Sequence, residues 1–171
     1  MYPNKFSAFS ALINYTGTFA LNNQYMVGKS LKAMHVLVSN IFKHNVNPKV
    51  SLQLFDAFVN PILNYGSQTW GFTKSKELER IHLKFCKTIL GVKQSTCNAA
   101  VYGELGRYPV FINRHIMIIK YWIKLLQTKN ILLKTMYDVM LKDLILGKIN
   151  WLSKVKQLLQ QNGFLYIWEL S

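Results

Sequence analysis

The sequence predicts a mostly α-helical protein, a bundle of five to six helices with a short strand near its N-terminus. Three observations indicate this. Apolar residues recur every three or four positions through most of the chain, helix-capping residues and glycines bound these periodic segments, and strict alternation occurs in one place. Half of the 171 residues are hydrophobic, which is sufficient for a packed core at this length and argues against disorder.

The strand is predicted from alternating apolar residues that precede a Thr16-Gly17 turn. The alternating residues are Phe9, Ala11, Ile13 and Tyr15. A lone strand leaves its backbone hydrogen-bonding groups unpaired. We therefore interpret residues 1–21 as the remnant of a sheet whose other strands lie elsewhere.

Two helices are predicted next. The first begins at Asn22 or Asn23 and reaches about Lys43. Its predicted buried stripe is Val27, Leu31, Met34, Val38 and Ile41. The second has Asn47 as its N-cap and Pro48 at its first position, and Pro61 should kink or end it. Its predicted apolar face is Leu54, Phe55, Phe58 and Ile62.

The central helix has two opposite faces. Ser75 is its predicted N-cap and Gly91 its predicted C-terminal stop. The apolar stripe is Leu78, Ile81, Phe85 and Ile89. Arg80, Lys84 and Lys87 fall within about 60° of one another on the other side. One face of this helix should therefore be buried and the other should present a row of cations.

The second half of the chain reads as further helices. A short one covers residues 98–105, and a longer one runs from Pro109 to about Gln127. The predicted core stripe of the longer helix is Ile112, Ile116, Ile119, Ile123 and Leu126, and its other side carries Asn113, Arg114, Lys120, Tyr121 and Lys124. Helices at residues 131–146 and 151–161 follow, and an aromatic tail at 164–168 should pack back on the bundle. We expect residues 22–95 and 96–171 to form two helical regions of one compact unit.

The charge is strongly positive. There are 21 Lys and Arg residues against 7 Asp and Glu, a formal net charge of +14. Such an excess favours a polyanionic partner, usually a nucleic acid and less often an anionic membrane surface. The candidate contacts to a duplex backbone are Arg80, Lys84, Lys87, Lys93, Arg107, Arg114, Lys120 and Lys124, with Tyr121 as a candidate for base stacking. If the two apolar stripes pack together, the rows on the two long helices should flank one duplex-width groove. The alternative location for the contacts is Lys29, Lys32 and Lys43 of the first helix.

No catalytic or metal site is predicted, and no cofactor. His82 and Cys86 have the i, i+4 spacing of zinc ligands, and Cys97 and His115 could join them, but the spacing matches no zinc pattern and a buried Cys beside a His is the alternative. The acids form no paired-carboxylate arrangement. The segment Gly103-Glu104-Leu105-Gly106 could clamp a nucleic-acid backbone, or its glycines could simply close the short helix.

Cysteine content, hydropathy and the N-terminal residues bear on the cellular location. Two cysteines are too few for a disulfide framework and suit a reducing environment. Lys120 and Lys124 interrupt the most apolar segment, so no membrane span is predicted. The N-terminal residues are a poor match to a signal peptide, so we do not expect secretion.

Several segments resemble the region that follows the catalytic palm in LINE-type (non-LTR) retrotransposon reverse transcriptases. They are residues 49–71 (KVSLQLFDAFVNPILNYGSQTWG), 78–109 (LERIHLKFCKTILGVKQSTCNAAVYGELGRYP), 118–126 (IIKYWIKLL) and 149–159 (INWLSKVKQLL). Residues 10–19 (SALINYTGTF) resemble that family's primer-grip strand. The block STCNAAVYGELGRYP is the most specific of these.

The resemblance implies a thumb-like region at residues 22–95 and a post-thumb region at 96–171, after a palm remnant at 1–21. It implies backbone contacts to an RNA–DNA or DNA template–primer duplex, a nuclear location (otherwise cytoplasmic), and partnership with a palm-bearing polymerase portion. The family's catalytic aspartates have no counterpart in this sequence, so we expect no polymerase activity. The alternatives are a truncated element fragment with no function of its own, or basic amphipathic helices that bind an anionic membrane.

Overall fold

The computed structural model describes residues 20–170 and shows a mostly helical chain, as predicted. The helices are α1 Ala20–Lys43, α2 Pro48–Phe58, α3 Asn60–Leu63, α4 Ser67–Trp70, α5 Lys76–Leu90, α6 Asn98–Leu105, α7 Val110–Leu126, α8 Ile131–Ile145, α9 Trp151–Gln161 and α10 Leu165–Glu169. Six of them have eleven or more residues, and residues 20–170 contain no strand. The strand predicted at Phe9 to Tyr15 lies outside the described residues.

The chain forms two compact units. The first consists of residues 20–66 and 74–113, and the second of residues 67–73 and 114–170. The expected boundary near residues 95–96 falls inside the first unit. The reason is that α6 packs on α5, where Val101 and Tyr102 form a buried cluster with Cys86.

The ends of α2 and α5 follow local capping rules, as predicted. The predicted start of the first helix is wrong, because α1 begins at Ala20 and Asn22 and Asn23 lie inside it. The Asn47 side chain accepts a hydrogen bond from the Val50 N–H at 2.9 Å, and the Ser75 side chain accepts one from Leu78. Gly91 has φ +66°, which favours glycine because it has no Cβ. The Val92 and Gly91 N–H groups then return to the Lys87 and Thr88 carbonyls. Pro61 lies in the first turn of α3, so the predicted second helix ends before it.

The core of the first unit forms around α5. The Phe55 ring stacks on Phe85 with centroids 4.4 Å apart, beside buried Leu78 and Ile81. The buried line of α1 is Met26, Ser30, Met34, Leu37 and Ile41. The predicted line held Met34 and Ile41 correctly, but Val27, Leu31 and Val38 are only half-buried. Ser30 is polar, so a count of apolar residues alone misses its place in the line.

The core of the second unit joins α7 to α9. Ile118 and Trp122 pack against a set on α9 that consists of Leu152, Val155, Leu158 and Leu159. The Trp168 ring stacks on Trp122 with centroids 5.4 Å apart, so the aromatic tail does pack back. No helix within residues 20–170 is long and apolar enough to cross a membrane.

The predicted stripe of α7 is wrong. The buried residues are Val110, Arg114, Ile118, Trp122 and Leu125, whereas Ile116, Ile123 and Leu126 are exposed. Arg114 had been expected on the polar side, yet it is 1% exposed. Its guanidinium lies over the Trp70 ring, 5.2 Å from the centroid. A charged residue therefore belongs to the buried line, because an aromatic face in the same unit receives it.

Candidate nucleic-acid interface

Two of the three cations predicted on the central helix are exposed. Arg80 and Lys84 face solvent on α5, one turn apart. The expectation that Lys87 continues this row is wrong, since Lys87 is 6% exposed. Its Nζ donates a hydrogen bond to the main-chain oxygen of Gln94 at 2.7 Å. The chain turns back after Gly91 and brings that oxygen over the side of α5.

Helix α1 extends the exposed pair into a wider basic surface. The Lys84 Nζ lies 3.5 Å from the His35 Nε2. Five residues further along α5, Ile89 lines the same surface cleft as Ile41 of α1. The residue pair nearer the C-terminal end of α1 is also the pair nearer the C-terminal end of α5, so the two helices run parallel. In this register Lys32, one turn before His35, lies level with Arg80, one turn before Lys84.

We call Lys32, His35, Arg80 and Lys84 the α1–α5 surface. Lys32 was predicted only as an alternative contact, and His35 was absent from the predicted contacts. Each is an ordinary exposed residue in the sequence of α1, and only the parallel packing of two helices places them beside α5. A sequence signal for this register is lacking, because the buried lines of the two helices can pair in several offsets.

The connector between α5 and α7 holds two of the predicted cations, of which one is exposed and the other is hydrogen-bonded within the first unit. Lys93 is exposed. Arg107 donates to the Asp56 carboxylate at 2.7 Å and to the Leu52 main-chain oxygen at 3.0 Å. With 17% of its side chain exposed, Arg107 holds the end of α6 against α2. It is therefore less available to a phosphate than the sequence indicated.

In the second unit, Lys120 and Lys124 are exposed and lie one turn apart on α7. Arg114 is buried in that unit, as described above. Tyr121 is half-buried, and its ring packs edge-to-face with Trp151, with centroids 5.8 Å apart. That contact leaves less ring surface for a base. Since the rows on α5 and α7 belong to different units, a single groove between them stays a prediction.

Two of the candidate metal ligands, His82 and Cys86, have environments that disfavour metal binding. Burial lowers the pKa of His82 to about 4, and the Arg107 charge adds to that shift. Burial raises the pKa of the Cys86 thiol to about 12, so the thiolate that metal binding needs is disfavoured. Within residues 20–170, no three His, Cys, Asp or Glu side chains come together as a metal site would require.

Glu79 connects three elements of the first unit. Its carboxylate accepts hydrogen bonds from the Tyr102 hydroxyl and, at 2.9 Å, from the Val110 N–H at the start of α7. Burial and this contact raise the pKa of Tyr102. The G-x-x-G segment lies at the end of α6, where Gly106 has φ +60° and terminates the helix. This geometry fits the alternative in which the glycines end the short helix.

Comparisons with protein-family models, with curated proteins and with solved structures found no match. The likeness to LINE-type reverse transcriptases thus rests on the sequence segments quoted above.

Proposed function

We propose that this protein binds the phosphate backbone of a nucleic-acid duplex without catalysing a reaction. The supporting observation is the sign bias of the surface. Among residues 20–170, 17 Lys and Arg residues are exposed against five Asp and Glu residues. Of those exposed cations, Lys148 alone forms an ion pair, with Asp143 at 2.8 Å. A solvated helical surface usually mixes both signs, so this excess favours a polyanion.

The arrangement of the cations suits phosphates rather than bases. Those of the α1–α5 surface lie on the outer sides of two parallel helices, and those of α7 follow one helical face. Lysine side chains on such faces reach backbone oxygens and carry no donor–acceptor pattern that would discriminate base pairs. We therefore expect weak sequence preference and strong salt dependence.

The sequence resemblance narrows the proposed partner to the template–primer duplex of a LINE-type retrotransposon polymerase, RNA–DNA or DNA. It favours a nuclear location, and a palm-bearing polymerase portion as a protein partner. In this proposal the chain holds the duplex, and the palm-bearing portion carries the chemistry. We assign the chemistry to the palm-bearing portion because this sequence has no counterpart of the family's aspartate motif.

The binding test is fluorescence anisotropy with labelled DNA and RNA–DNA duplexes of unrelated sequences. Each phosphate contact should contribute about −0.9 to the slope of log affinity against log salt on B-DNA. With about five contacts, affinity should fall by about two to three decades between about 50 and 200 mM salt. Absence of binding at the lower salt would instead favour a fragment with no function of its own.

The catalytic half of the proposal has a separate test. The purified chain is given primer–template, nucleotides and Mg²⁺ or Mn²⁺, and we expect no primer extension. Extension that persists through stringent purification would contradict a purely binding role.

A further inference from the structure

Helix α8 carries exposed apolar residues in addition to those that pack on its own unit. Its inner side packs on the core of the second unit through Tyr137, Met140, Leu141 and Leu144. Its outer side carries a line of exposed aliphatic residues, which we call the α8 ridge: Leu132 (69% exposed), Met136 (54%), Val139 (52%) and Leu146 (72%). At 100° per residue these four fall within about 80° of one another.

Further exposed aliphatic residues lie near both ends of α8. Ile131 is 82% exposed at the start of α8, and Ile145 and Ile149 are 77% and 85% exposed at its other end. Single exposed apolar residues are normal on protein surfaces, but a contiguous group of this kind marks a contact surface. The outer side of α8 therefore calls for a partner that covers aliphatic side chains.

The charges around the ridge indicate what that partner is. Three exposed lysines lie around it: Lys129 and Lys148 beyond the two ends of α8, and Lys142 about 40° from Leu146 around the helix. Asp138 is the one exposed acid on α8. Asp143 falls within the arc of the ridge, where it is half-buried and paired with Lys148. The partner should thus present apolar material and negative charge over the same area.

Three kinds of partner can be compared on this basis. A duplex offers phosphates, but it would leave the ridge uncovered. A second copy of this chain offers aliphatic surface, but the second unit carries nine basic and three acidic residues, so two copies would repel. An anionic bilayer offers acyl chains directly beneath phosphates and carboxylates.

We infer that the α8 ridge docks on an anionic lipid surface, with α8 lying parallel to the membrane plane. The ridge aliphatics enter the boundary between headgroups and acyl chains, and the bordering lysines contact the lipid headgroups. The inference goes beyond duplex binding, because it uses a different surface. It also requires no spanning helix, since an interfacial helix inserts only one side.

The test is co-sedimentation of the full chain with vesicles. The protein should sediment with phosphatidylcholine vesicles that contain about one-third phosphatidylserine, and stay in solution with phosphatidylcholine alone. The double variant Leu132→Ser and Val139→Ser should bind the anionic vesicles at least about tenfold more weakly. The matched control is Val36→Ser with Phe58→Ser, which removes side chains that are 65% and 62% exposed in the first unit. The control should bind vesicles like the wild type.

All four substituted side chains are exposed, and far-UV circular dichroism checks that each variant stays helical. Should the ridge variant lose helicity, Lys129→Gln with Lys142→Gln supplies a second test and should weaken anionic vesicle binding. Three results would overturn the inference: no vesicle binding by the wild type, equal binding by the ridge and control variants, or a wild-type dimer in sedimentation equilibrium that the ridge variant converts to monomer. Duplex binding measured on the same ridge variant should be unchanged, so failure here is distinguishable from failure of the proposed function.

Discussion

The Lys87 ammonium donates a hydrogen bond to the Gln94 main-chain oxygen at 2.7 Å, across the turn that Gly91 begins. The methylene stem of this lysine is buried along the side of α5, and the charged end closes the loop that follows the helix. Its spacing assigns Lys87 to the cationic row, but its ammonium instead stabilises the loop after α5. Its neighbour Lys84, one turn earlier, has no such partner in the loop and remains exposed.

The first prediction compares these two lysines. Lys87→Met keeps the stem and removes the donor, so it should lower the free energy of unfolding by about 1–2 kcal/mol. Lys84→Met should change it by less than about 0.5 kcal/mol, because Lys84 is exposed. Urea denaturation followed by circular dichroism measures both. Equal effects of the two substitutions would show that the Gln94 contact does not stabilise the loop.

Helix ends could be predicted from the sequence because their causes are local. Asn47 and Ser75 each cap a backbone N–H three residues away, and Gly91 and Gly106 each adopt the left-handed conformation at a helix end. Every partner involved lies within one turn along the chain. These signals placed α2, α5 and α6 close to their observed bounds.

The state of the cations could not be predicted in this way, because their partners are distant. Arg107 pairs with Asp56, 51 positions away, and Arg114 lies over Trp70. Helical spacing reports which side of a helix a residue occupies, and it does not report what packs against that side. Two of the eight predicted contacts, Arg107 and Arg114, were misjudged for this reason, and His35 was missed for the same reason.

The second prediction concerns the Arg107–Asp56 ion pair. Arg107→Met should lower the free energy of unfolding by about 1–3 kcal/mol, because it removes the bonds to both Asp56 and the Leu52 carbonyl. Asp56→Asn should cost less, about 0.5–1 kcal/mol, since that carboxylate is 45% exposed. The double variant completes a cycle, and its coupling energy should be about 0.5–1 kcal/mol. Strict additivity would contradict a direct contribution of the pair.

The third prediction is a pH dependence that arises from His82. The ring is buried against Phe55 and Tyr102, with both centroid distances 5.4 Å, and its pKa is lowered from 6.5 to about 4. Between these values the unfolded chain binds a proton that the folded protein does not. The stabilising effect of the neutral ring is therefore complete above pH 6.5 and is lost as the pH falls towards 4, by about 3 kcal/mol at most.

This dependence is measured from urea midpoints between pH 7 and pH 5. His82→Leu should flatten the profile, since an apolar side chain in the same place does not titrate. His35→Gln is the matched control, because His35 is exposed, and its profile should follow the wild type. A His82→Leu profile as steep as that of the wild type would assign the dependence to other groups.

The fourth prediction locates the duplex contacts. If the α1–α5 surface holds the phosphates, the triple variant Lys32→Gln, Arg80→Gln and Lys84→Gln should flatten the salt slope by nearly three units, since each lost contact removes about 0.9. All three side chains are exposed, so the fold should be retained. Lys87→Gln should leave the slope unchanged, because the Lys87 ammonium is already bonded to Gln94.

The control has the same loss of charge on another surface: Lys129→Gln, Lys134→Gln and Lys142→Gln in the second unit, all exposed. Its slope should stay close to that of the wild type, because counterion release counts contacts and not net charge. Equal flattening by the two triple variants would mean that binding follows net charge over the whole surface. If the α1–α5 variant keeps the wild-type slope, we would assign the contacts to Lys120 and Lys124 of α7. Adding Lys120→Gln and Lys124→Gln to that variant should then reduce the slope by nearly two units.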